Sequence, residues 1–470
     1  MSSPASGSNR KASNQELWEQ DRRHHVHPFH NFVSYDKTGS LIMDKGQGAY
    51  LTDIDGKEYF DAVGGMWCTN IGLGRKEMVD AIAEQALKLA YANPFTDMSN
   101  EPAARLSAKL AELAPGDLNH VFFTCGGSTA NDSAFRLIQM YQGARGKPEK
   151  IHVLSRRDSY HGMTYLAASL GGKASDRVRD FNYIEDIIHH LTSPNFYRAD
   201  EGMDESQFCD FLIDEMEQKI LELGADKIAA FFAEPILGSG GVIVPPEGYN
   251  RRTAELCQKY DIIYVADEVV TGFGRLGHWF VSKDMFDVQP DIICCAKGLT
   301  SAYLPLGAVI FSDRMYEVLG NDKDRWFASG YTYSGHPVCC AAALKNIEIM
   351  EREKLFDNVR EVGPYFEERL RTLLDLPIVG DIRGRLFMMC VVNVKNKETK
   401  EFFPPEVDIG KRISNYAEQQ GLIVRPSADL NIMSPALTMT KSDVDYIVSR
   451  LRKAIELTTE DLQAEGHLEP

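Results

Sequence analysis

The stretches of sequence that decide the fold are Tyr264-Val265-Ala266-Asp267-Glu268-Val269 and Ile292-Ile293-Cys294-Cys295-Ala296-Lys297-Gly298. Each begins as an apolar run typical of a buried β-strand, and each then reaches a charged residue, Asp267 in the first and Lys297 in the second. Open α/β sheets bind their ligands at the carboxyl ends of the strands. The two stretches therefore predict a carboxylate and an amine presented side by side at that edge of a sheet.

A carboxylate and an amine in this arrangement suit pyridoxal phosphate (PLP). The aldehyde of PLP attaches to a lysine, and its pyridine nitrogen stays protonated beside an anion. A salt bridge between two strand ends is an alternative interpretation of Asp267 and Lys297. The two residues alone do not distinguish the cofactor site from the salt bridge.

Length, composition and charge narrow the class of protein. The 470 residues imply more than one domain, and the 44% hydrophobic and 25% charged residues are those of an ordinary globular protein. A formal charge of −17 disfavours nucleic acid and anionic membranes as partners, and no apolar run is long enough to span a bilayer. The nine cysteines show no metal or disulfide spacing, so we expect reduced core residues and a cytoplasmic protein.

The order of strand and helix signals predicts the architecture. Apolar runs at residues 121–124, 151–155, 228–234, 262–266, 291–296 and 306–311 alternate with helical patterns, which indicates a mainly parallel sheet with helices on both faces. Residues 1–15 are polar and serine-rich, and we expect a disordered tail rather than a signal peptide. We assign residues 16–80 to the N-terminal part of a small domain, 81–345 to the large domain that binds the cofactor, and 346–470 to the C-terminal part of the small domain.

Two loops after predicted strands have the chemistry of a ligand site. Cys125-Gly126-Gly127-Ser128-Thr129 precedes a helix, where free N–H groups and the helix dipole favour an anion such as phosphate. Glycine is common in such turns, so this loop alone is weak support. Ser159-Tyr160-His161-Gly162 offers an aromatic ring that could stack on a flat cofactor, although tyrosine and histidine are more often core or interface residues.

The run His24-His25-Val26-His27-Pro28-Phe29-His30 raises the question of a metal site. We find no cysteine or carboxylate at ligand spacing, and Pro28 breaks any helix through the run. We therefore expect a structural N-terminal segment and no metal.

Taken together, the chain resembles the class III aminotransferases, a PLP-dependent family, from about Trp18 to Leu457. The motifs that carry the resemblance are Ala233-Glu234-Pro235, Ala266-Asp267-Glu268-Val269-Val270-Thr271-Gly272-Phe273-Gly274-Arg275 and Ala296-Lys297-Gly298-Leu299. A chance match of all three in this order is improbable, which favours the cofactor site over the salt bridge. The resemblance implies an α/β protein of fold type I, with a seven-stranded, mainly parallel sheet in the large domain and a smaller α+β domain formed by both termini.

The resemblance also implies roles for single residues. Lys297 would be the Schiff-base lysine, and Asp267 would hold the pyridine nitrogen. The other cofactor-binding residues implied are Gly127, Ser128, Tyr160, His161, Glu234, Val270 and, reaching the phosphate of a neighbouring subunit, Thr332. A homodimer, or a dimer of dimers, would then be the catalytic unit. Thr129 stands where the family commonly has glutamate, which puts a supporting salt bridge at that position in doubt.

Three positions bear on the substrates. Family members that use 2-oxoglutarate carry a glutamate where this chain has Ser239 and an arginine where it has Ile432, whereas Arg425 matches the mobile arginine of the pyruvate-using ω-aminotransferases. The substrate residues implied are Trp67, Phe95, Tyr160, Ser239, Tyr331 and Arg425. We therefore expect a ping-pong transfer of an amino group from a primary amine or ω-amino acid to pyruvate, giving alanine.

Several alternatives stay open at this point. A 2-oxoglutarate-dependent enzyme of the 4-aminobutyrate or ornithine type is the nearest, and decarboxylases and aminomutases share the scaffold. A PLP-binding regulator is less favoured, since no basic DNA-binding element is found. Arg425 could be a solvated loop arginine, and Trp67 could be an ordinary core tryptophan.

Overall fold

The computed structural model describes residues 13–29 and 31–468. Its β-strands are β1 Met43–Gln47, β2 Tyr50–Asp53, β3 Glu58–Asp61, β4 Leu118–Thr124, β5 His152–Arg156, β6 Ile188–Leu191, β7 Ile228–Ala233, β8 Ile263–Asp267, β9 Ile292–Cys295, β10 Gly307–Ser312, β11 Val379–Arg385, β12 Met388–Asn393, β13 Leu422–Ile423, β14 Arg425–Ser427 and β15 Leu430–Met433. Its α-helices are α1 Asn14–His24, α2 Phe32–Thr38, α3 Gly64–Trp67, α4 Lys76–Lys88, α5 Glu101–Leu113, α6 Gly127–Ala144, α7 Tyr165–Leu170, α8 Glu205–Leu223, α9 Tyr249–Lys259, α10 Val281–Asp284, α11 Asp313–Leu319, α12 Pro337–Arg352, α13 Leu355–Arg371, α14 Ile409–Gln419 and α15 Lys441–Ala464.

A seven-stranded sheet forms the centre of the molecule, in the order β4-β10-β9-β8-β7-β5-β6. The five neighbouring strands β9, β8, β7, β5 and β6 are parallel to one another, and β10 runs antiparallel to both of its neighbours, β9 and β4. Every residue of β7, β8, β9 and β10 is buried, as expected for a sheet with helices on both faces. The predicted α/β class and the mainly parallel seven-stranded sheet are confirmed. Our strand assignment from the sequence missed β6, whose two histidines interrupt the apolar pattern.

The register of three central strands determines which residues meet at the edge of the sheet. Ala233 of β7 lies opposite Ala266 of β8, and Asp267 lies opposite Cys294 of β9. The residues that follow these positions, Glu234 and Lys297, therefore come out at the same edge as Asp267.

Two smaller sheets lie outside the central one. The hairpin β2–β3 pairs with β13 from the C-terminal part of the chain, with Leu422 opposite Phe60. The other small sheet has the order β11-β12-β15-β14, and in it Arg425 lies opposite Ile432. Segments from both ends of the chain thus share one sheet, while the exact domain boundaries stay predictions.

The N-terminal segment begins with a well-capped helix. Of the predicted tail, residues 1–12 lie outside the described residues, whereas Ser13 caps α1 through a reciprocal pair of hydrogen bonds with Glu16. Residues 14 and 15 are already helical. His30, the last histidine of the run at residues 24–30, also lies outside the described residues.

The expectation that no carboxylate accompanies the histidine run is wrong. The carboxylate of Asp21 accepts hydrogen bonds from His25 and His27, at 3.0 Å each, and from the hydroxyl groups of Tyr35 and Ser40. His27, Tyr35 and Ser40 donate to Oδ2 of Asp21. His25 and His27 contact Oδ1. These hydrogen bonds account for the cluster as a structural one, while the absence of a metal stays a prediction.

The cysteines belong to the packing of the core. All nine are free, and seven of them are buried. Buried free cysteines pack as small apolar side chains, which agrees with the interpretation as reduced core residues. Among the helices within the described ranges, none has both the length and the apolar composition needed to cross a membrane.

Candidate active site

Asp267 lies at the centre of a buried group of hydrogen bonds at the carboxyl end of β8. Its Oδ2 accepts from Nδ2 of Asn131 at 2.8 Å and from Nδ1 of His161 at 2.7 Å, and its Oδ1 accepts from the backbone N–H of Val269 at 3.1 Å. Three donors therefore stabilise the negative charge of Asp267. Oδ1 carries only the one long bond, so it can accept a further hydrogen bond from a ligand.

Lys297 follows β9 with a backbone φ of 46°, in the left-handed region, and begins a short 3-10 helix. Burial lowers the pKa of Lys297 below its ordinary value, the negative charges of Asp267 and Glu234 oppose this, and the positive charge of Arg425 adds to it. The lowered pKa favours the neutral amine, which is the form that attacks a carbonyl and accepts a proton.

Asn70 supports the turn that carries Lys297. A Cβ at Gly298 would collide with Nδ2 of Asn70, so only glycine fits there. Asn70 is itself held from both sides, because Nδ2 donates to the carbonyl of Phe273 at 2.7 Å and Oδ1 accepts from Nη2 of Arg275 at 2.9 Å. Burial lowers the pKa of Arg275 to about 10, and the guanidinium is fully buried.

Glu234 connects two loops of the site. Its Oε1 accepts from the backbone N–H of Tyr160 at 2.9 Å, and its Oε2 accepts from the backbone N–H of Gly238 at 2.8 Å. Burial raises the pKa of Glu234. The carboxylate thereby fixes the loop of Tyr160 against the loop that carries Ser239, a function that the sequence did not specify.

The glycine loop before α6 forms an open cradle. The helix begins at Gly127 without a side-chain cap, so its first N–H groups have no partner within the helix. A Cβ added to Gly126 would meet nothing within 4 Å, and a Cβ added to Gly162 would collide with Oγ of Ser128. The loop of Gly162 therefore closes one side of the cradle, and the space beside Gly126 stays free.

Thr129 replaces the expected salt bridge with hydrogen bonds. Its Oγ1 donates to the carbonyl of Gly126 at 2.9 Å and accepts from the backbone N–H of Cys125 at 3.2 Å. These two bonds close the loop on itself, so the departure from the family pattern leaves the cradle supported.

Arg425 lies at the other end of the site. Its Nη2 is 3.5 Å from Oγ of Ser239, and among the described residues it forms no ion pair. Burial lowers the pKa of this half-buried guanidinium. Ile432, opposite Arg425 in the sheet, is fully buried and apolar. A partly desolvated cation without a carboxylate partner is suited to bind the carboxylate of a ligand.

Trp67 is more buried than a residue on an open pocket wall. Its exposed fraction is 2%, its φ is 63°, and it packs in an apolar cluster against which Val270 also packs. Asp61 shapes this segment by accepting the backbone N–H groups of Val63 and Gly65. The burial agrees with a core tryptophan, and the role of Trp67 in substrate binding stays a prediction.

Phe95, Tyr331 and Thr332 belong to loops outside the helices and strands of the fold. Phe95 is 63% exposed and contacts Gly330, and Thr332 is exposed with its carbonyl accepting from the hydroxyl of Tyr91 at 3.0 Å. Tyr331 donates to the carbonyl of Thr129 at 3.2 Å. Within the described residues, no hydrogen bond joins these three to Asp267 or Lys297, and their roles in binding stay predictions.

The donor set fits PLP. Asp267 offers an anion for a ring nitrogen, Lys297 offers an amine of lowered pKa for an aldehyde, and the uncapped start of α6 with the space beside Gly126 offers a phosphate site. Tyr160 is the aromatic ring nearest in sequence to these contacts, and its backbone is fixed by Glu234. The cofactor contacts themselves stay predictions.

Two residues of the site were not assigned a role from the sequence. Asn131 stands four residues after Gly127, one helical turn into α6, and a polar residue on that face was a usable signal. Asn70 gave no such signal, because its partners Phe273 and Arg275 are about two hundred residues away in the chain.

The comparisons with known proteins agree on one family. Residues 33–455 match the family model for aminotransferase class-III. The putrescine–pyruvate aminotransferase of Pseudomonas aeruginosa is 40% identical over 95% of this chain and 97% of that protein, and the diaminobutyrate–2-oxoglutarate transaminase of Halomonas elongata is 37% identical over 97% and 99%. The structure of a thermostable (S)-enantioselective ω-transaminase from Thermomicrobium roseum superposes with a TM-score of 0.93 at 39% identity, covering 96% of this chain and all of that one. The predicted fold type I is confirmed.

Proposed function

The chain belongs to the class-III aminotransferases, and on that premise we propose that it is a PLP-dependent enzyme that moves an amino group from a primary amine or ω-amino acid to pyruvate. The product would be alanine, formed by a ping-pong mechanism. The premise rests on the family match over residues 33–455. The cofactor and the acceptor rest on the residues described above.

The residues divide the chemistry between them. When bound, PLP supplies a protonated ring that accepts negative charge from the donor carbon. Asp267 keeps the ring nitrogen protonated, since its charge is fixed by Asn131 and His161 in a buried position. Lys297 would hold the aldehyde of the cofactor, and its Nζ, in the neutral form that burial favours, would be the base that takes a proton from the donor carbon.

The observation that carries the choice of acceptor is the environment of Arg425. Ser239 and Ile432 stand near it, and neither supplies a charge that would fix the guanidinium. A planar guanidinium binds a carboxylate bidentately, and its long side chain can leave the pocket for a donor without a carboxylate. Pyruvate, with one carboxylate next to the reacting carbon, needs no second cation.

A 2-oxoglutarate-dependent enzyme is the second candidate. The Halomonas relative is named for that acceptor, at 37% identity against 40% for the relative named for pyruvate. We favour pyruvate because the uncharged Ser239 and Ile432 leave no second charged pair to select the longer dicarboxylate.

We also propose that the enzyme works as a homodimer or a dimer of dimers. Phe95, Trp326 and Tyr333 are large apolar side chains with 63%, 80% and 59% of their surface exposed in the single chain, and Thr332 lies among them in sequence. Exposed apolar patches of this kind commonly mark an interface. The cytoplasmic location expected from the cysteines stays a prediction.

The acceptor is tested by presenting PLP-loaded enzyme and putrescine with pyruvate or with 2-oxoglutarate at equal concentration. We expect alanine formation to exceed glutamate formation by about tenfold or more, as a site built for one acceptor discriminates. Chromatography of the amino-acid products measures this directly. Preferential formation of glutamate would overturn the choice of pyruvate and leave the aminotransferase assignment intact.

The cofactor assignment is tested with Lys297→Ala. The variant should lose its visible absorbance and amino transfer should fall by a factor of about 10⁴ or more, because the attachment point and the base are both removed. Lys283→Ala, at an exposed lysine of α10, serves as the control. Retained transfer in Lys297→Ala would defeat the assignment.

A further inference from the structure

A short segment beside the pocket carries two charges that the reaction above does not use. Nζ of Lys173 lies 3.4 Å from Oδ1 of Asp176 and 3.3 Å from Oγ of Ser427. Both charged side chains are mostly buried, with 17% and 13% of their surface exposed. Since Ser427 belongs to β14, this pair of charges is attached to the strand that begins with Arg425.

The geometry brings Asp176 within reach of the guanidinium of Arg425. Residues two apart in a strand project from the same face and are separated by about 7 Å, so Arg425 and Ser427 face the same way. An arginine side chain that turns along the strand covers a distance of that order. Among the negative charges that act on Arg425, that of Asp176 is the strongest.

The segment that carries Asp176 is held in place by its neighbours, and the hydroxyl of Ser175 donates to Oδ1 of Asp176 at 3.1 Å. The backbone carbonyl of Asp176 accepts from the hydroxyl of Tyr183 at 3.3 Å. Nη1 of Arg177 donates to the carbonyls of Ser169 and Gly171, at 3.3 and 3.1 Å, and so ties the segment to the end of α7. Asp176 is therefore a fixed counter-charge, whereas Arg425 is the side chain with few contacts.

We propose that Asp176 receives the guanidinium of Arg425 when it leaves the pocket, and that Lys173 competes with Arg425 for this carboxylate. The inference rests on the proposed function, because it requires one substrate with a carboxylate and another without. A buried cation is costly without an opposite charge, so a side chain that moves needs a partner at each end of its path. Asp176 is then a positioning residue that acts through Arg425. It lowers the free-energy cost of moving the guanidinium out of the pocket when the donor carries no carboxylate.

Two variants should change the donor preference in opposite directions. In Asp176→Asn the side chain that would receive Arg425 outside the pocket has no negative charge. We therefore expect kcat/KM for benzylamine, a donor without a carboxylate, to fall about tenfold, and kcat/KM for alanine to stay within about twofold of the wild-type value. In Lys173→Met the competing cation is gone, so kcat/KM for benzylamine should rise about threefold and that for alanine should fall. Both are measured as half-reactions of the PLP-loaded enzyme with each donor.

Binding of propionate, a carboxylate that cannot react, gives a readout that does not depend on turnover. Calorimetric titration of the PLP-loaded enzyme should show tighter binding in Asp176→Asn, where Arg425 stays in the pocket, and weaker binding in Lys173→Met. Melting temperatures check folding, and because Lys173→Met keeps Asp176, it tests the inference alone if Asp176→Asn does not fold. If the wild-type enzyme transfers no amino group, the proposed function fails, and the propionate titration still decides this inference.

The double variant with Arg425→Ala separates an action through Arg425 from direct contact with substrate. In that background Asp176→Asn should have no further effect on benzylamine, because the side chain that it receives is absent. A fall for both donors equally, or an effect that persists without Arg425, would overturn the inference. A loss confined to putrescine would overturn it as well, since Asp176 would then bind the distal ammonium of a diamine.

Discussion

The two ends of the site are built differently. At the edge of the central sheet, Asp267 and Glu234 accept five hydrogen bonds of 2.7 to 3.1 Å. At the other end, the contacts of Arg425 with Ser239 and of Lys173 with Asp176 and Ser427 lie between 3.3 and 3.5 Å.

We infer from these distances that the two ends of the site have different functions. Short charge-assisted hydrogen bonds in a buried place hold a charge without reorganisation, which suits the steps common to all substrates. Contacts of 3.5 Å contribute little and are easily exchanged. On the proposed function, we therefore expect the sheet edge to be the fixed chemical end of the site and the end around Arg425 to be the one that adapts to the substrate.

The most stringent test of this comparison removes the negative charge of Asp267 at the sheet edge. Asp267→Asn keeps the shape of the side chain but no longer holds a ring nitrogen protonated, so kcat should fall by about 10³ for every donor and acceptor. Steady-state rates with benzylamine and alanine measure it. Loss for one substrate only would contradict the assignment of Asp267 to chemistry common to both.

The adjacent carboxylate provides the matched control. Glu268 is fully buried and accepts from the backbone N–H groups of Val281 and Ser282 and from the hydroxyl groups of Ser282 and Thr271. Glu268→Gln replaces one of those acceptor oxygens with a donor, so we expect a lower melting temperature, with about 1–3 kcal/mol of stability lost. Asp267→Asn makes the same change beside its own donors and should lower the melting temperature to a similar extent, so the loss of kcat in the folded enzyme is the effect that separates the two variants.

The fixed end is also the part that the sequence predicts well. Parallel buried strands are recognisable from apolar runs alone, and their carboxyl ends meet at one edge whatever the details of the loops. Glu234, Asp267 and Lys297 follow three such runs, so their meeting was predictable from the chain.

The rest of the site depends on contacts between residues far apart in the sequence, which no local sequence pattern predicts. Asn70 reaches Phe273 across 203 residues, and Lys173 reaches Ser427 across 254. The burial of Trp67 depends in the same way on strands from the C-terminal part of the chain. The roles predicted for Phe95, Tyr331 and Thr332 stay predictions, and that of Thr332 involves a second subunit, which the pattern of one chain does not describe.

Removing the mobile charge should have the next largest effect. Arg425→Ala deletes the cation that we propose binds a substrate carboxylate, so KM for pyruvate should rise about 100-fold while kcat/KM for benzylamine changes by no more than about threefold. Arg105→Ala, at an exposed helical arginine, controls for the loss of a surface charge. An equal loss for both substrates would mean that Arg425 supports the fold of the pocket and not the carboxylate.

The smallest effect is expected at Ser239, and it measures how loosely Arg425 is held. Ser239 is 8% exposed, and its hydroxyl lies 3.5 Å from Nη2 of Arg425, at the limit of a hydrogen bond. Ser239→Ala should therefore raise KM for pyruvate by only about twofold, with kcat and the melting temperature unchanged. A rise of tenfold or more in the same assay would show that Ser239 contacts the acceptor itself, and the adaptable end of the site would then include a fixed polar contact in addition to the mobile guanidinium.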